Sequence, residues 1–137
     1  MGIQCIPSEE VPMAKLLVVD DDPSIVELLQ FLLTKEGHAV SVARDGKAGL
    51  KAARDERPDL IILDVMMPEL DGFSVSGELF KDGAMRQTPI LILTAKGNTR
   101  GIFEMVPNVR GYMDKPFEPD SLIQVVRKIL RAEAKAA

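Results

Sequence analysis

The sequence predicts one α/β domain built on a parallel sheet with helices on both faces. Three observations predict it. Short runs that are apolar at every position alternate along the chain with segments of helical period. Strands buried on both faces read as continuous apolar runs, and the helices that cover them carry a single apolar stripe. The third observation is length, since 137 residues supply one compact core and are too few for two ordinary domains.

Residues 1–13, with Pro7, Pro12 and the Glu9, Glu10 pair, show no period and are read as a flexible leader. The domain is placed at residues 14–133, with 134–137 as a C-terminal tail whose alanines also suit the start of a linker helix. Leu16 to Val19 is the first strand, ended by Asp20, Asp21 and Asp22. Asp22 before Pro23 is a helix start, a capping carboxylate followed by a proline suited to the first helical position. Ile25, Leu28, Leu29 and Leu32 then recur at helical spacing until Gly37. Ala39 to Ala43 is the second strand, Asp45 to Glu56 a helix, and Asp59 to Asp64 the third strand. Asp71 to Asp82 is a weaker helix, interrupted by Gly77. Ile90 to Leu93, between Pro89 and Thr94, is the fourth strand and Gly111 to Met113 a short fifth. A short or mobile fourth helix is expected at 98–105. From Glu118, the residues Leu122, Val125, Val126, Ile129 and Leu130 form one face of the last helix, which closes in Arg127, Lys128 and Arg131, charges suited to a helix C-terminus.

Composition excludes several functions. With 17 basic and 21 acidic residues the chain carries a formal charge of −4, which argues against binding nucleic acid through this domain. Cys5 is the only cysteine, so a disulfide or thiolate metal site within one chain is excluded. No apolar run approaches the roughly 20 residues that span a bilayer, and no secretory signal opens the chain. A cytoplasmic protein is expected. Gly46 and Gly49 lack the spacing of a dinucleotide or phosphate loop. His38, the single histidine, is read as a surface residue in a turn.

In a parallel sheet ligands bind beyond the carboxyl ends of the strands, so the residues that follow each strand matter most. They are Asp20, Asp21 and Asp22, then Asp64, then Thr94 and Ala95, then Lys115. Two carboxylates about 4 Å apart repel by about 4 kcal/mol at an effective dielectric of about 20. Asp20, Asp21 and Asp64 therefore need a cation, and Mg²⁺ suits an oxygen-only donor set with few protein ligands. A hydroxyl at Thr94 and an ammonium at Lys115 around one carboxylate then meet the needs of phosphoryl transfer. Each residue alone has a plainer reading. Asp22, Asp45 and Asp71 are read as caps or turn residues, Thr94 alone as a hydrogen-bonding loop residue and Lys115 alone as a solvated charge. Joint placement at one sheet edge favours the chemistry.

The segments LLVVDDDPSI, LIILDVMMPELDGF, PILILTAKG and GYMDKPFEP stand in the order and spacing of a response-regulator receiver domain, and the chain resembles that family of two-component signalling over about residues 14–133. The resemblance, to chemotaxis-regulator-like receivers, implies a doubly wound flavodoxin-like (βα)5 fold with strand order 2-1-3-4-5. It implies that Asp64 is the phospho-acceptor, that Asp20, Asp21, Asp64 and the backbone carbonyl of Met66 hold Mg²⁺, that Thr94 and Lys115 contact the phosphoryl group, and that Thr94 and Tyr112 form the switch. The Lys115–Pro116 peptide is often cis in such proteins. The phosphodonor implied is a sensor histidine kinase or histidine phosphotransfer protein, and the reaction is attack by Asp64 on phosphohistidine to give an acyl phosphate. Val65 and Lys96 flank the approach of the hydrolytic water and are candidates for setting its rate. The chain is then a signalling domain that catalyses only its own phosphorylation and dephosphorylation.

Downstream, the resemblance implies an effector protein or a fused output domain, reached through the face made by the fourth helix, the fifth strand and the last helix, with a homodimer as a further possibility of that face. The chain departs from the family between Thr94 and Lys115, where Met105 to Val109 replace a Gly-Ala-Asp-like turn. A phosphorylation-independent interaction module is the alternative reading. A small-molecule phosphohydrolase with an aspartate nucleophile is disfavoured because Met66 stands where its second acid is usual.

Overall fold

The computed structural model describes residues 13–65, 72–83, 86–94 and 107–136. The leader through residue 12, the expected helix at 98–105, Asp71 and Ala137 lie outside the described residues. The elements run β1 (Lys15–Val19), α1 (Pro23–Lys35), β2 (Ala39–Ala43), α2 (Gly46–Glu56), β3 (Leu60–Asp64), α3 (Gly72–Lys81), β4 (Ile90–Thr94), β5 (Val109–Asp114) and α4 (Pro119–Ala136). The five strands pair in parallel in the order β2-β1-β3-β4-β5. Among the described residues no helix is long and apolar enough to cross a membrane.

Alternation within each apolar strand divides the core into two layers. Leu17, Val19, Ile61, Leu63, Ile90 and Ile92 pack with Leu50 and Ala53 of α2 and Val75 and Leu79 of α3. Leu16, Val18, Leu60, Ile62, Leu91 and Leu93 pack on the other face with Leu29 and Leu33 of α1 and Leu122, Val126 and Leu130 of α4. Every residue of β3 and β4 is buried, and full burial of a Leu or Ile side chain contributes about 1.5–3 kcal/mol. The central strands are thus fixed by both layers at once.

The helix ends follow their local chemistry. Asp22 and Asp45 accept hydrogen bonds from the N–H groups of Ser24 (2.9 Å) and Ala48 (2.8 Å), so both cap their helices as their sequence positions predict. Residue 37 has φ 101°, a left-handed conformation that glycine adopts at little cost, and it ends α1. Gly49 has a packing role. A Cβ there would lie 2.8 Å from Val19 Cγ1 and 3.0 Å from its Cγ2, so glycine is what lets α2 lie directly on β1. The fifth strand is longer than its apolar run suggests because β5 lies at the sheet edge, where Arg110 is accommodated at a register shift opposite Ile90 and Leu91 and pairs with Glu133 of α4 at 2.9 Å. α4 runs on to Ala136, so the residues read as a tail are helical through that position.

His38 overturns its sequence reading. It is 6% exposed, not a surface residue. The turn at Gly37 directs it inward, where its Nδ1 accepts the N–H of Ala14 at 3.1 Å and so holds the start of β1. Burial pushes its pKa below the ordinary 6.5, with Glu36 opposing more weakly. Between the folded value and 6.5 the unfolded chain binds more protons, so the stability due to neutral His38 is complete above pH 6.5 and is lost as pH falls through the window beneath it.

Two predictions follow from this packing. Gly49→Ala should destabilise the domain by about 1–3 kcal/mol in urea unfolding, as overpacking does, and Val19→Ala in the same chain should recover part of the loss; additive losses would contradict the contact. His38→Asn keeps an acceptor for Ala14 without titrating, so between about pH 7.5 and about pH 5 wild type should lose stability relative to the variant. A constant difference in unfolding midpoint across that range would refute the linkage.

Candidate functional site

Parallel pairing brings the carboxyl ends of β1, β3, β4 and β5 to one edge of the sheet, and the predicted site residues meet there. Asp20 follows β1 directly and is fully buried, its N–H bonded to the carbonyl of Ala43 at 3.1 Å. Asp64 is the last residue of β3 and is 4% exposed. The next N–H, of Val65, reaches the carbonyl of Leu93 (3.1 Å), so the chain leaves β3 in register with β4. Thr94 ends β4 and is also buried. Lys115 follows β5, and its N–H donates to the carbonyl of Thr94 at 2.7 Å. The Lys115–Pro116 peptide is cis, as the resemblance implies.

The side chains converge further than the strand ends require. Lys115 Nζ lies 2.9 Å from Asp20 Oδ2 and 3.3 Å from Asp64 Oδ1. The second oxygen of Asp20, Oδ1, accepts the N–H of Asp22 at 2.9 Å. Burial acts to lower the Lys115 pKa, but the hydrogen bond to Asp20 and the charges of Asp64 and Asp20 outweigh it, so the ammonium titrates above its ordinary 10.5. It is therefore a fixed cation throughout the physiological range. Asp21 is exposed, yet one oxygen from each of Asp20, Asp21 and Asp64 falls in a group whose members all lie within 4.8 Å of one another.

Three carboxylates around one ammonium leave an excess of negative charge at a site walled by buried residues. That donor set fits a hard divalent cation: all oxygen, one face open to water at Asp21, and too few ligands to complete a coordination shell without waters, which suits Mg²⁺. Tyr112, in β5 opposite Ile92, is half-buried and packs against the layer that contains α2 and α3. Val65 is buried beside Asp64. Met66 and Lys96 lie outside the described residues.

Sequence reasoning brought Asp20, Asp21, Asp64, Thr94 and Lys115 to one edge, and the structure places them there. It did not foresee that Lys115 bonds Asp20 as well as lying beside Asp64, nor that the backbone of Asp22 holds Asp20. The first depends on strand order and carries no local signal. The second had one, the Asp20-x-Asp22-Pro23 run, in which an aspartate is spaced to accept the N–H two residues on.

Comparison with known proteins agrees with this geometry. Residues 16–127 match the response regulator receiver domain. The chain is similar to the alkaline phosphatase synthesis transcriptional regulatory protein PhoP of Bacillus subtilis, 46% identical over 127 residues that cover 90% of this chain and 51% of that protein. The chain thus spans about half the length of that regulator. The chemotaxis protein CheY4 of Vibrio cholerae is similar in structure, with a TM-score of 0.80 and 34% identity over 85% of this chain and 98% of CheY4. So is the receiver domain of the sensor histidine kinase PA1611 of Pseudomonas aeruginosa, which has a magnesium ion coordinated in its active site cleft, with a TM-score of 0.79 and 26% identity over 87% of this chain and 98% of that domain. On sequence match, strand order and site geometry together, the chain belongs to the response regulator receiver domain family of two-component signalling.

Proposed function

We propose that this receiver domain, residues 14–133, accepts a phosphoryl group on Asp64 from a phosphohistidine of a sensor histidine kinase or histidine phosphotransfer protein. The observation that supports it most directly is the placement of Asp64 Oδ1 3.3 Å from Lys115 Nζ, inside the same oxygen cluster as Asp20 and Asp21. A carboxylate oxygen of Asp64 attacks phosphorus, the P–O bond forms as the P–N bond to the donor imidazole breaks, and the bonding pair leaves with the imidazole nitrogen. The product is an acyl phosphate, which water later hydrolyses to restore the carboxylate and release inorganic phosphate.

Lys115 is held where one oxygen of the transferred group arrives, and its charge offsets the negative charge gathered there. Thr94, at the neighbouring strand end, presents a hydroxyl to a second oxygen. Asp20, Asp21 and Asp64 would hold Mg²⁺, together with the backbone carbonyl of Met66 that the family resemblance adds, and the ion would supply charge neutralisation for the phosphoryl oxygens. Rearrangement of Thr94 toward the acyl phosphate, followed by Tyr112, would alter the face formed by β5 and α4 and so its affinity for an effector protein or a fused output domain. This role is one of signalling in the cytoplasm, and the only chemistry is on the chain's own aspartate.

Incubation with acetyl phosphate and Mg²⁺, followed by phosphate-affinity electrophoresis, should retard wild type and leave Asp64→Asn unshifted. Retardation of both would assign the acceptor elsewhere, and retardation of neither would favour a phosphorylation-independent interaction module. Chelation of divalent ions should abolish the shift. Lys115→Met should slow labelling by about 10²-fold or more, the size of effect seen when a charge-stabilising donor is lost; labelling at the wild-type rate would remove Lys115 from the reaction.

A further inference from the structure

The buried carboxylate of Asp20 is held at both oxygens, and one of the two holds comes from Asp22, the residue that caps α1. Its Oδ1 accepts the N–H of Asp22 at 2.9 Å while Oδ2 accepts Lys115 at 2.9 Å. Residue 22 is fixed in turn. Its own carboxylate accepts the N–H of Ser24 at 2.9 Å, its carbonyl accepts the N–H of Val26 at 3.0 Å, and its backbone is extended at φ −86°, ψ 113°. Pro23 restricts the preceding residue only to a broad extended basin. Within that basin Asp22 is tied to Ser24 and Val26 while its N–H lies on Asp20.

We infer that Asp22 is a positioning residue: by capping α1 it orients its own N–H onto Asp20 and so sets the carboxylate of Asp20 for a divalent cation. The inference rests on the reading of Asp20 as a metal ligand given above. Partners that orient ligands in this way govern affinity as well as geometry. Asp22 itself is exposed and directs its carboxylate to its own helix, so its part is exerted through Asp20. A structural cap alone would affect stability and leave cation affinity unchanged.

Three variants separate capping from charge. Asp22→Asn and Asp22→Ser retain a capping oxygen and lose the charge, whereas Asp22→Ala loses both. Titration of the intact chain with Mg²⁺ is followed by calorimetry at about 0.15 M salt, where exposed charges are strongly screened, after thermal unfolding has shown each variant folded at the working temperature. Affinity should fall about tenfold in Asp22→Ala, the lower end of the effect expected for loss of an orienting contact. It should stay within about twofold of wild type in Asp22→Asn and Asp22→Ser. Equal weakening of all three variants would show that only the charge matters and would overturn the inference, as would wild-type affinity in all three. Absence of Mg²⁺ binding by wild type would overturn the underlying assignment of the metal site and the inference with it.

Discussion

The arrangement at the carboxyl edge depends on one constraint: two buried carboxylates at the ends of adjacent strands require a cation, and the chain supplies its own from β5. Lys115 lies two strand positions from β3 and three from β1, roughly 10 Å and 14 Å at the usual spacing of parallel strands. Its backbone is tied to the carbonyl of Thr94, and its stem spans the end of β4 to reach Asp64 and Asp20. The ion cluster therefore couples the correct assembly of the sheet to the assembly of the site, since removal of the lysine would leave carboxylates buried without compensation.

The rest of the domain is arranged to keep that edge rigid. Every residue of β3 and β4 is covered from both sides, so Asp64 and Thr94 issue from backbone that has little freedom to shift. The Asp20 position is fixed by different means. Gly49 lets α2 rest on Val19, the residue before Asp20, and the N–H of Asp22, the cap of α1, holds a carboxylate oxygen of Asp20. The exposed carboxylate, Asp21, is the one left open to water. Buried strand ends with one carboxylate open to water are the kind of rigid, accessible arrangement that preorganised charge stabilisation requires.

At the opposite end of the sheet, polar side chains hold backbone groups at the start of β1. His38 accepts the Ala14 N–H, and Asp59 accepts the Lys15 N–H at 2.8 Å. Arg127 of α4 donates to Glu36 at the end of α1 through two bonds, of 2.9 and 3.1 Å, fastening together the two helices that cover one face. These contacts hold the start of β1 and two covering helices, whereas the carboxyl edge gathers the acidic cluster and Lys115.

By itself the sequence determined the elements and which residues gather at the carboxyl edge of the sheet. Apolar runs such as Leu60–Leu63 and Ile90–Leu93 report burial on both faces directly, and Asp22-Pro23 and Gly37 report helix ends, because each depends on residues a few positions away. Only the tertiary structure decided the burial of His38, the extension of β5 through Arg110, and the bridge from Lys115 to Asp20. His38 faces Ala14 across 24 residues and Lys115 faces Asp20 across 95, and no local period carries a contact at such separation. What selects those partners is strand order and register, which become physical only once the sheet has formed.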